Sequence, residues 1–427
     1  MPRIRKILML VENVPAPLDS RVWPEAMALR DHGFQVTIIS PKGPTKYREP
    51  YICIDGIYIY RYDLPQVGTK YIAYFVEYGI ALLMTFLLSF KVLFRHGFDV
   101  IHTANPPDMF FMIGLFYRLF GKKFVFDQHD LTPELFQVMS RGRMKAIYKL
   151  MLFLEWCTYR TADLVIVANE SFKQIAMKRG GCPDCKVFVV RNGPNLKQMK
   201  LVTPEPELKR GRRYLLAYVG VMGVQDGVEH ALYAIHDLVH KRNRQDVSLV
   251  LMGDGDQIPM LRALAHELQV DEQAKFLGWT ESNDVLRYLT VADVGLTPDP
   301  KNGLNEFCTM IKTMEYMAMG KPVVAFDLIE ARFSAQNAAL YATPNSVGDF
   351  ANKIEMLLND EELRLKMGAI GRKRIEEELS WDHTSKNLLL AYEMLFPGSS
   401  KRSESLVSGS AIDATKNQEL VKSTILE

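Results

Sequence analysis

The residues best suited to chemistry fall between Asn305 and Pro322. The spacing predicts a helix over 309–319, stopped by Gly320, then a buried strand opened by Pro322. In such a helix Thr309, Lys312 and Glu315 fall at i, i+3 and i+6, on one face. A helix N-terminus with a lysine suits a diphosphate, and a carboxylate further along suits the diol of a ribose. Upstream, an apolar run over 214–220 enters a glycine-bearing turn with Gly220, Gly223 and Gln225, whose backbone N–H groups can face a phosphate. Gly253-Asp254-Gly255-Asp256 follows the next apolar run. Its D-x-D spacing resembles a metal pair, but Asp256 also suits a helix N-cap and is read as one. In the first half, a run over 123–127 ends in Gln128-His129-Asp130. A histidine flanked by carboxylates at the end of a buried strand suits a polarised catalytic imidazole; the alternative is a structural histidine bonded to backbone. Asn105, after the preceding run, and Asp19, Arg21 and Glu25, after the first, are expected on the same wall.

The elements that must position these residues read as two α/β domains in series. Apolar runs at 6–11, 35–40, 99–103, 123–127, 163–168 and 186–191 alternate with helical stretches at 24–32, 109–120 and 144–159. Continuous apolar runs suit parallel strands buried on both faces. Residues 197–213 are polar and proline-bearing and read as a linker, after which the rhythm restarts. Strands are expected at 214–220, 247–253, 275–278, 293–297 and 322–327. The expected organisation is a Rossmann-like domain over 1–198 and a second over 199–381. An amphipathic helix at 382–396 packs back on the first, and a tail over 397–427 is disordered. Ligands of open parallel sheets sit outside the carboxyl ends of the strands, so two such domains facing each other would put their useful residues around one cleft.

Composition removes several classes. The chain has 427 residues, of which 48% are hydrophobic and 24% charged, which excludes a disordered or fibrous chain. A net charge of +2 gives no reason to expect nucleic acid as a partner. Five cysteines, an odd number, argue for a reducing, cytoplasmic setting. Cys182 and Cys185 form a CxxC with no second pair and no nearby histidine, and read as a turn. The run 7–11 is too short for a signal sequence and reads as a first strand. Residues 71–90 are nearly all apolar, with Glu77 the only charge, and are long enough to span a bilayer. Strand-like runs on both sides favour a buried or membrane-surface helix over a span.

In the order of its motifs the chain resembles the family 4 retaining glycosyltransferases, which have the two-domain GT-B fold. The resemblance covers about residues 5–396. It rests on the His129-Asp130 turn, Val190-Arg191-Asn192-Gly193, Gly220-x-x-Gly223, Phe276-Leu277-Gly278-Trp279, and the run Glu315-Tyr316-Met317-Ala318-x-Gly320-Lys321-Pro322-Val323-Val324. The His-Asp turn and Asp19-x-Arg21-Val22 look most like the branch that builds bacterial surface polysaccharides and O-antigen-type glycans. The resemblance implies that Glu315 holds the ribose as the second glutamate of an E-x7-E motif. It implies that His129 contacts the donor sugar and that the backbone around Leu277 and Gly278 reads the base. Two departures stand out. Phe307 occupies the place of the first glutamate, with Glu306 one residue before it, and no arginine or lysine follows Gly223. Gln225 stands in that loop, and Lys312 is the best substitute cation.

The expected activity is transfer of a sugar, with retention, from a nucleotide-sugar, a UDP-sugar by family habit, to a glycan or lipid-linked glycan. His129, Asp130 and Glu306 are the expected catalytic set. Gly220, Gly223, Gln225, Leu277, Gly278, Thr309, Lys312 and Glu315 are expected on the nucleotide-sugar, and Asp19, Arg21 and Asn105 on the acceptor side. No metal or other cofactor is expected, since helix amides and Lys312 can meet the diphosphate charge. A sugar-nucleotide epimerase of the same fold and a non-catalytic scaffold are the rival readings. The basic residues Arg141, Arg143, Lys145 and Lys149 before an apolar helix, together with 71–94, make an anionic membrane surface a candidate partner.

Overall fold

The computed structural model describes residues 4–43, 46–65 and 71–396. The expected disordered tail, 397–427, lies outside the described residues. The chain divides into two units: Met1–Gln137 with Arg143–Arg191 and Ser385–Glu427, and Val138–Gly142 with Asn192–Thr384.

In the first unit, strands form where the chain is apolar on both faces. They are β1 (Lys6–Leu10), β2 (Gln35–Pro41), β3 (Tyr51–Ile54), β4 (Ile57–Tyr62), β5 (Val100–Ala104), β6 (Lys123–Gln128), β7 (Leu164–Val167) and β8 (Val187–Val189). Their order is β3-β4-β2-β1-β5-β6-β7-β8. Every neighbouring pair is parallel except the hairpin β3–β4. The helices between them are α1 (Val22–Asp31), α2 (Tyr71–Arg95), α3 (Phe111–Arg118), α4 (Thr132–Met139), α5 (Lys145–Thr161) and α6 (Glu170–Lys178). The crossover β1–α1–β2 runs toward one end of the sheet, and those through α2, α3, α5 and α6 run toward the other. Right-handed crossovers therefore put α1 on one face and the other four on the opposite face.

The second unit carries β9 (Tyr214–Val219), β10 (Val247–Met252), β11 (Ala274–Gly278), β12 (Val294–Thr297), β13 (Val323–Phe326) and β14 (Ala339–Ala342). They form an all-parallel sheet in the order β11-β10-β9-β12-β13-β14. Its helices are α7 (Glu229–His236), α8 (Ile258–Glu267), α9 (Ser282–Val291), α10 (Ile311–Ala318), α11 (Ile329–Ala335), α12 (Val347–Asn359) and α13 (Glu361–Arg374). The last helix, α14 (Trp381–Leu395), passes into the first unit from Ser385. There Tyr392 stacks beside His102 of β5, with its hydroxyl 2.7 Å from Nδ1, and Phe34 meets the Tyr392 ring edge-on.

Several sequence expectations need correction. The hairpin β3–β4 was not anticipated, although Asp55-Gly56 is a strong turn signal and both residues take positive φ. β14 is alanine-rich and has little strand propensity of its own. α10 begins at Ile311, not 309, so Thr309 precedes the helix and does not share its face. α8 begins at Ile258 with Gln257 at the cap, so Asp256 is not the N-cap. The polar stretch after Arg191 groups with the second unit rather than dividing at 198. Its contacts explain why: a Cβ on Gly193 would lie 2.1 Å from the Leu379 carbonyl, and Pro194 accepts a hydrogen bond from the Trp381 amide. Cys182 precedes a short turn, Asp184–Lys186, that contains Cys185, as expected, and both are free thiols.

The long apolar helix α2 is built into the first unit. Ala81, Thr85, Ser89 and Val92 are buried, Ser89 Oγ lies 2.8 Å from the Tyr117 hydroxyl of α3, and Phe86 meets Phe116 at 5.0 Å. From Phe75 onward it is nonetheless long and apolar enough to cross a bilayer, and only 22% of that window is buried.

In the second unit two glycines let the loops after β9 and β10 lie against each other. Gly220 and Gly253 have φ of +145° and +135°, and a Cβ on Gly253 would sit 1.9 Å from the Gly220 carbonyl. Gly253→Ala is expected to lower the stability of this unit by about 1–3 kcal/mol. Chemical denaturation should reveal the loss, and an unchanged midpoint would contradict the close approach.

Candidate functional site

In the second unit, the expected nucleotide residues gather at the carboxyl edge of the sheet. Tyr316 fixes α10 there: its hydroxyl accepts from the Val219 amide at 2.9 Å and donates to the Leu296 carbonyl, while its ring fills the space left by Gly295. One turn earlier, Lys312 is buried against Gly220, and its Nζ donates to both Asp299 oxygens at 2.7 and 2.9 Å. The ammonium also lies over the Tyr218 ring, 5.1 Å from its centre. Burial opposes this charge, but Asp299, Asp226 and the Asp299 hydrogen bond outweigh it and raise the lysine pKa. Burial pushes Asp226 up to about 6, against the pull of Lys312 and with Asp299 adding to the rise.

Asp226 organises the turn. Its Oδ2 accepts from the Gly223 amide and from Gln225 Nε2, each at 2.9 Å. Asn305 Nδ2 then ties this turn to the loop after β12 through the carbonyls of Gln225 and Pro300. Glu315, three residues beyond Lys312, is raised by burial, partly offset by Lys312, and has no side-chain hydrogen bond among the described residues. Thr309 instead donates to Glu330 at 3.3 Å. Glu306 lies in the loop before α10, its carboxylate 3.2 Å from Lys301. Leu277 and Gly278 end β11, where the Gly278 carbonyl accepts from the Gly253 amide and from Thr280 Oγ1. Trp279, next in the chain, is 78% exposed.

In the first unit, the carboxyl edge is built around Asp127 at the end of β6. Arg21 donates to its carboxylate through Nε and Nη2, the latter at 2.6 Å, and through Nη1 to the Val190 carbonyl. His129 Nε2 lies 2.6 Å from Asp127 Oδ2. Burial favours a protonated Asp127, but Arg21 and then His129, with hydrogen bonds from His102 and His129, hold it well below the usual carboxylate range. Glu25 is the opposite case: burial and then Asp127 raise it well above the usual range. Arg21 Nε lies 3.4 Å from one Glu25 oxygen and His102 Nε2 3.5 Å from the other, and Arg21 offsets part of the rise. Burial also holds His102 neutral, against the pull of Asp127.

Two acceptor-side expectations are corrected here. Arg21 and Asn105 are 3% and 2% exposed and serve inside the wall rather than on it. Asn105 Oδ1 accepts from the His129 and Asp130 amides, and Nδ2 reaches Asp108, the Asp130 carbonyl and Thr132. It therefore shapes the His129-Asp130 turn. Asp19 Oδ1 accepts from the Arg21 and Val22 amides at the start of α1. Asp130 remains partly exposed beside His129, its carboxyl raised by burial. Glu25, His102 and Asp127 have the ligand types of a metal site, with donor atoms within 4.8 Å of one another. Arg21 already supplies the cation on Asp127, so the set does not fit a metal.

Sequence reasoning missed Asp127 and Asp299 as site residues. Both sit at the carboxyl ends of strands that it had drawn, so the edge rule could have found them.

Two family models match the chain: "Glycosyltransferase Family 4" over residues 22–198 and "Glycosyl transferases group 1" over 213–360, together more than half of it. The chain is a glycosyltransferase of the GT-B type. An uncharacterised glycosyltransferase of Methanocaldococcus jannaschii is 24% identical over 59% of this chain and 66% of its own length. An N,N'-diacetylbacillosaminyl-diphospho-undecaprenol alpha-1,3-N-acetylgalactosaminyltransferase of Campylobacter jejuni is 25% identical over 57% of this chain and 61% of its own. This chain thus spans just under two thirds of both relatives. The solved structure of HepE from Anabaena in complex with UDP-glucose superposes with a TM-score of 0.66 at 14% identity, covering 91% of this chain and 99% of that one, and shares the fold. In this glycosyltransferase the two groups described above lie one in each Rossmann-like unit.

The position of Asp226 gives a pH dependence. Its proton leaves at a pH of about 6, which adds a negative charge to the turn beside Lys312. Affinity for a nucleotide-sugar, whose doubly esterified diphosphate does not titrate in this range, is expected to fall as pH rises through about 6, and Asp226→Asn should flatten that profile. Calorimetry between pH 5 and 8 reads it, and a wild-type profile as flat as the variant's would contradict this reading.

Proposed function

We propose that this glycosyltransferase moves a sugar from a nucleotide-sugar of the UDP class to a carbohydrate or lipid-linked carbohydrate, with retention, in surface-polysaccharide synthesis at the cytoplasmic side. The observation that carries the reading is the buried Lys312 between Asp299 and the Gly220–Gly223 turn, with Glu315 unpaired on the same helix. A lysine held charged beside backbone amides is suited to a diphosphate leaving group, and an acid without a partner is suited to a ribose diol. The HepE complex holds UDP-glucose, and the Campylobacter relative's name contains a diphospho-undecaprenol acceptor. Both support the donor and acceptor classes by analogy.

Departure of the diphosphate leaves positive charge on the donor sugar and negative charge on the leaving group. Lys312 and the turn amides meet the negative charge in this proposal, with no metal required. His129, its ring oriented by Asp127, contacts the donor sugar, and Asp130 and Glu306 are the further carboxylates offered to it. Attack from the same face, with the leaving phosphate accepting the acceptor's proton, gives retention.

Two substitutions separate the roles. Glu315→Ala should weaken UDP binding by about 1–3 kcal/mol. His129→Ala should leave UDP affinity unchanged and lower turnover at least about tenfold, a barrier change of roughly 1.4 kcal/mol. Calorimetry and product analysis with a panel of UDP-sugars and lipid-linked acceptors read both. Unchanged UDP affinity in Glu315→Ala would remove the nucleotide assignment. Release of an epimerised donor without acceptor would replace transfer with isomerisation.

A further inference from the structure

Among the described residues, three neighbouring helices of the first unit leave one broad apolar surface uncovered. The outer face of α2 presents Val76, Leu83, Leu87 and Phe94, the last 85% exposed. α3 presents Met112 and Leu115, with Leu119 and Phe120 just beyond it. α5 presents Leu150, Phe153 and Trp156. The stripes are contiguous because Phe86 and Phe90 of α2 both meet Phe116 of α3, at 5.0 and 5.7 Å, and α3 packs beside α5. Isolated exposed leucines are ordinary, whereas an apolar band across three adjacent helices marks an interaction site.

The charges on these helices have one sign. Lys91, Arg95, Arg118, Lys145, Lys149 and Arg160 are exposed. Of the acids, Glu155 is buried against Arg179, which leaves Glu77 as the only partly exposed carboxylate on α2, α3 or α5. The whole chain is nearly neutral at +2, so this excess is local. Each helix runs antiparallel to the strands it connects. Lys145 and Lys149 therefore lie toward the carboxyl edge of the sheet, and Arg95, Arg118 and Arg160 toward the opposite edge. The band is apolar along its middle and basic at both ends.

We propose that this band docks the first unit flat on an anionic phospholipid surface. The outer side chains of α2, α3 and α5 enter the headgroup–acyl boundary, and the lysines and arginines at both ends meet lipid phosphates. A second copy of the chain would bring basic ends against basic ends, which disfavours self-association through this face. The inference rests on the helices alone. Its link to a lipid-linked acceptor rests on the proposed function, and vesicle binding tests the surface without any turnover.

The experiment is co-sedimentation of the full chain with phosphatidylcholine vesicles of rising phosphatidylglycerol content, at low and raised salt. Partitioning should rise with phosphatidylglycerol and fall with salt. Arg118→Gln with Lys149→Gln should weaken it roughly 25-fold, about fivefold per neutralised charge. Leu87→Asp with Phe94→Asp should reduce it to background, with circular dichroism and UDP affinity matching wild type. The exposed Arg118/Lys149 pair keeps the test valid if the apolar variant misfolds. Three results would overturn the proposal: no binding at any lipid composition, binding indifferent to these substitutions, or a stable dimer in sedimentation velocity that Leu87→Asp dissolves.

Discussion

A single buried carboxylate, Asp127, ties together the carboxyl edge of the first unit. An ionised carboxylate without water is costly unless its neighbours compensate it. Here the compensation comes from separate elements: Arg21 at the start of α1, His129 in the turn after β6 and, at longer range, His102 on β5. Arg21 reaches on to the Val190 carbonyl beyond β8, and Tyr392 of α14 takes the other nitrogen of His102. Strands far apart in sequence are thus held by one charge. Glu25 feels the same charge from the other side: burial and the Asp127 anion raise its carboxyl well above the usual range, and Arg21 offsets part of the rise.

The second unit meets the same problem with the signs exchanged. There a buried lysine is the expensive charge, and Asp299 and the Asp226 turn compensate it. In both units the charged group sits at the carboxyl edge of a parallel sheet, where a crevice is left between loops and ligands are accommodated. Aromatic and glycine contacts support the placement. Tyr316 locks α10 onto β9 and β12, and the paired glycines Gly220 and Gly253 bring two loops into backbone contact that no side chain would allow.

Much of this was legible in the sequence because parallel strands buried on both faces read as unbroken apolar runs. The strands at 123–127 and 214–220 were drawn nearly to their ends, and the edge rule then pointed to His129 and the Gly220–Gly223 turn. What failed was local. Thr309 was put on a helix that starts two residues later, and no periodicity argument sees a cap that carries no side-chain bond. Arg21 and Asn105 looked like ligand contacts because they are polar and follow strands. Only the three-dimensional structure reveals that the wall itself uses all that polarity. β14 was missed because four residues of Ala-Leu-Tyr-Ala carry too little pattern, and their strand state is imposed by pairing with β13.

The measurement that bears most directly on this account is the stability of Asp127→Asn, read by hydrogen exchange of the β5 and β6 amides. Removing the charge leaves Arg21 buried beside a neutral amide and His129 without its anion. The account predicts a loss of about 3–5 kcal/mol in the protection of those strands, with UDP affinity unchanged because the residues proposed for the nucleotide lie in the other unit. Protection within about 0.5 kcal/mol of wild type would contradict it.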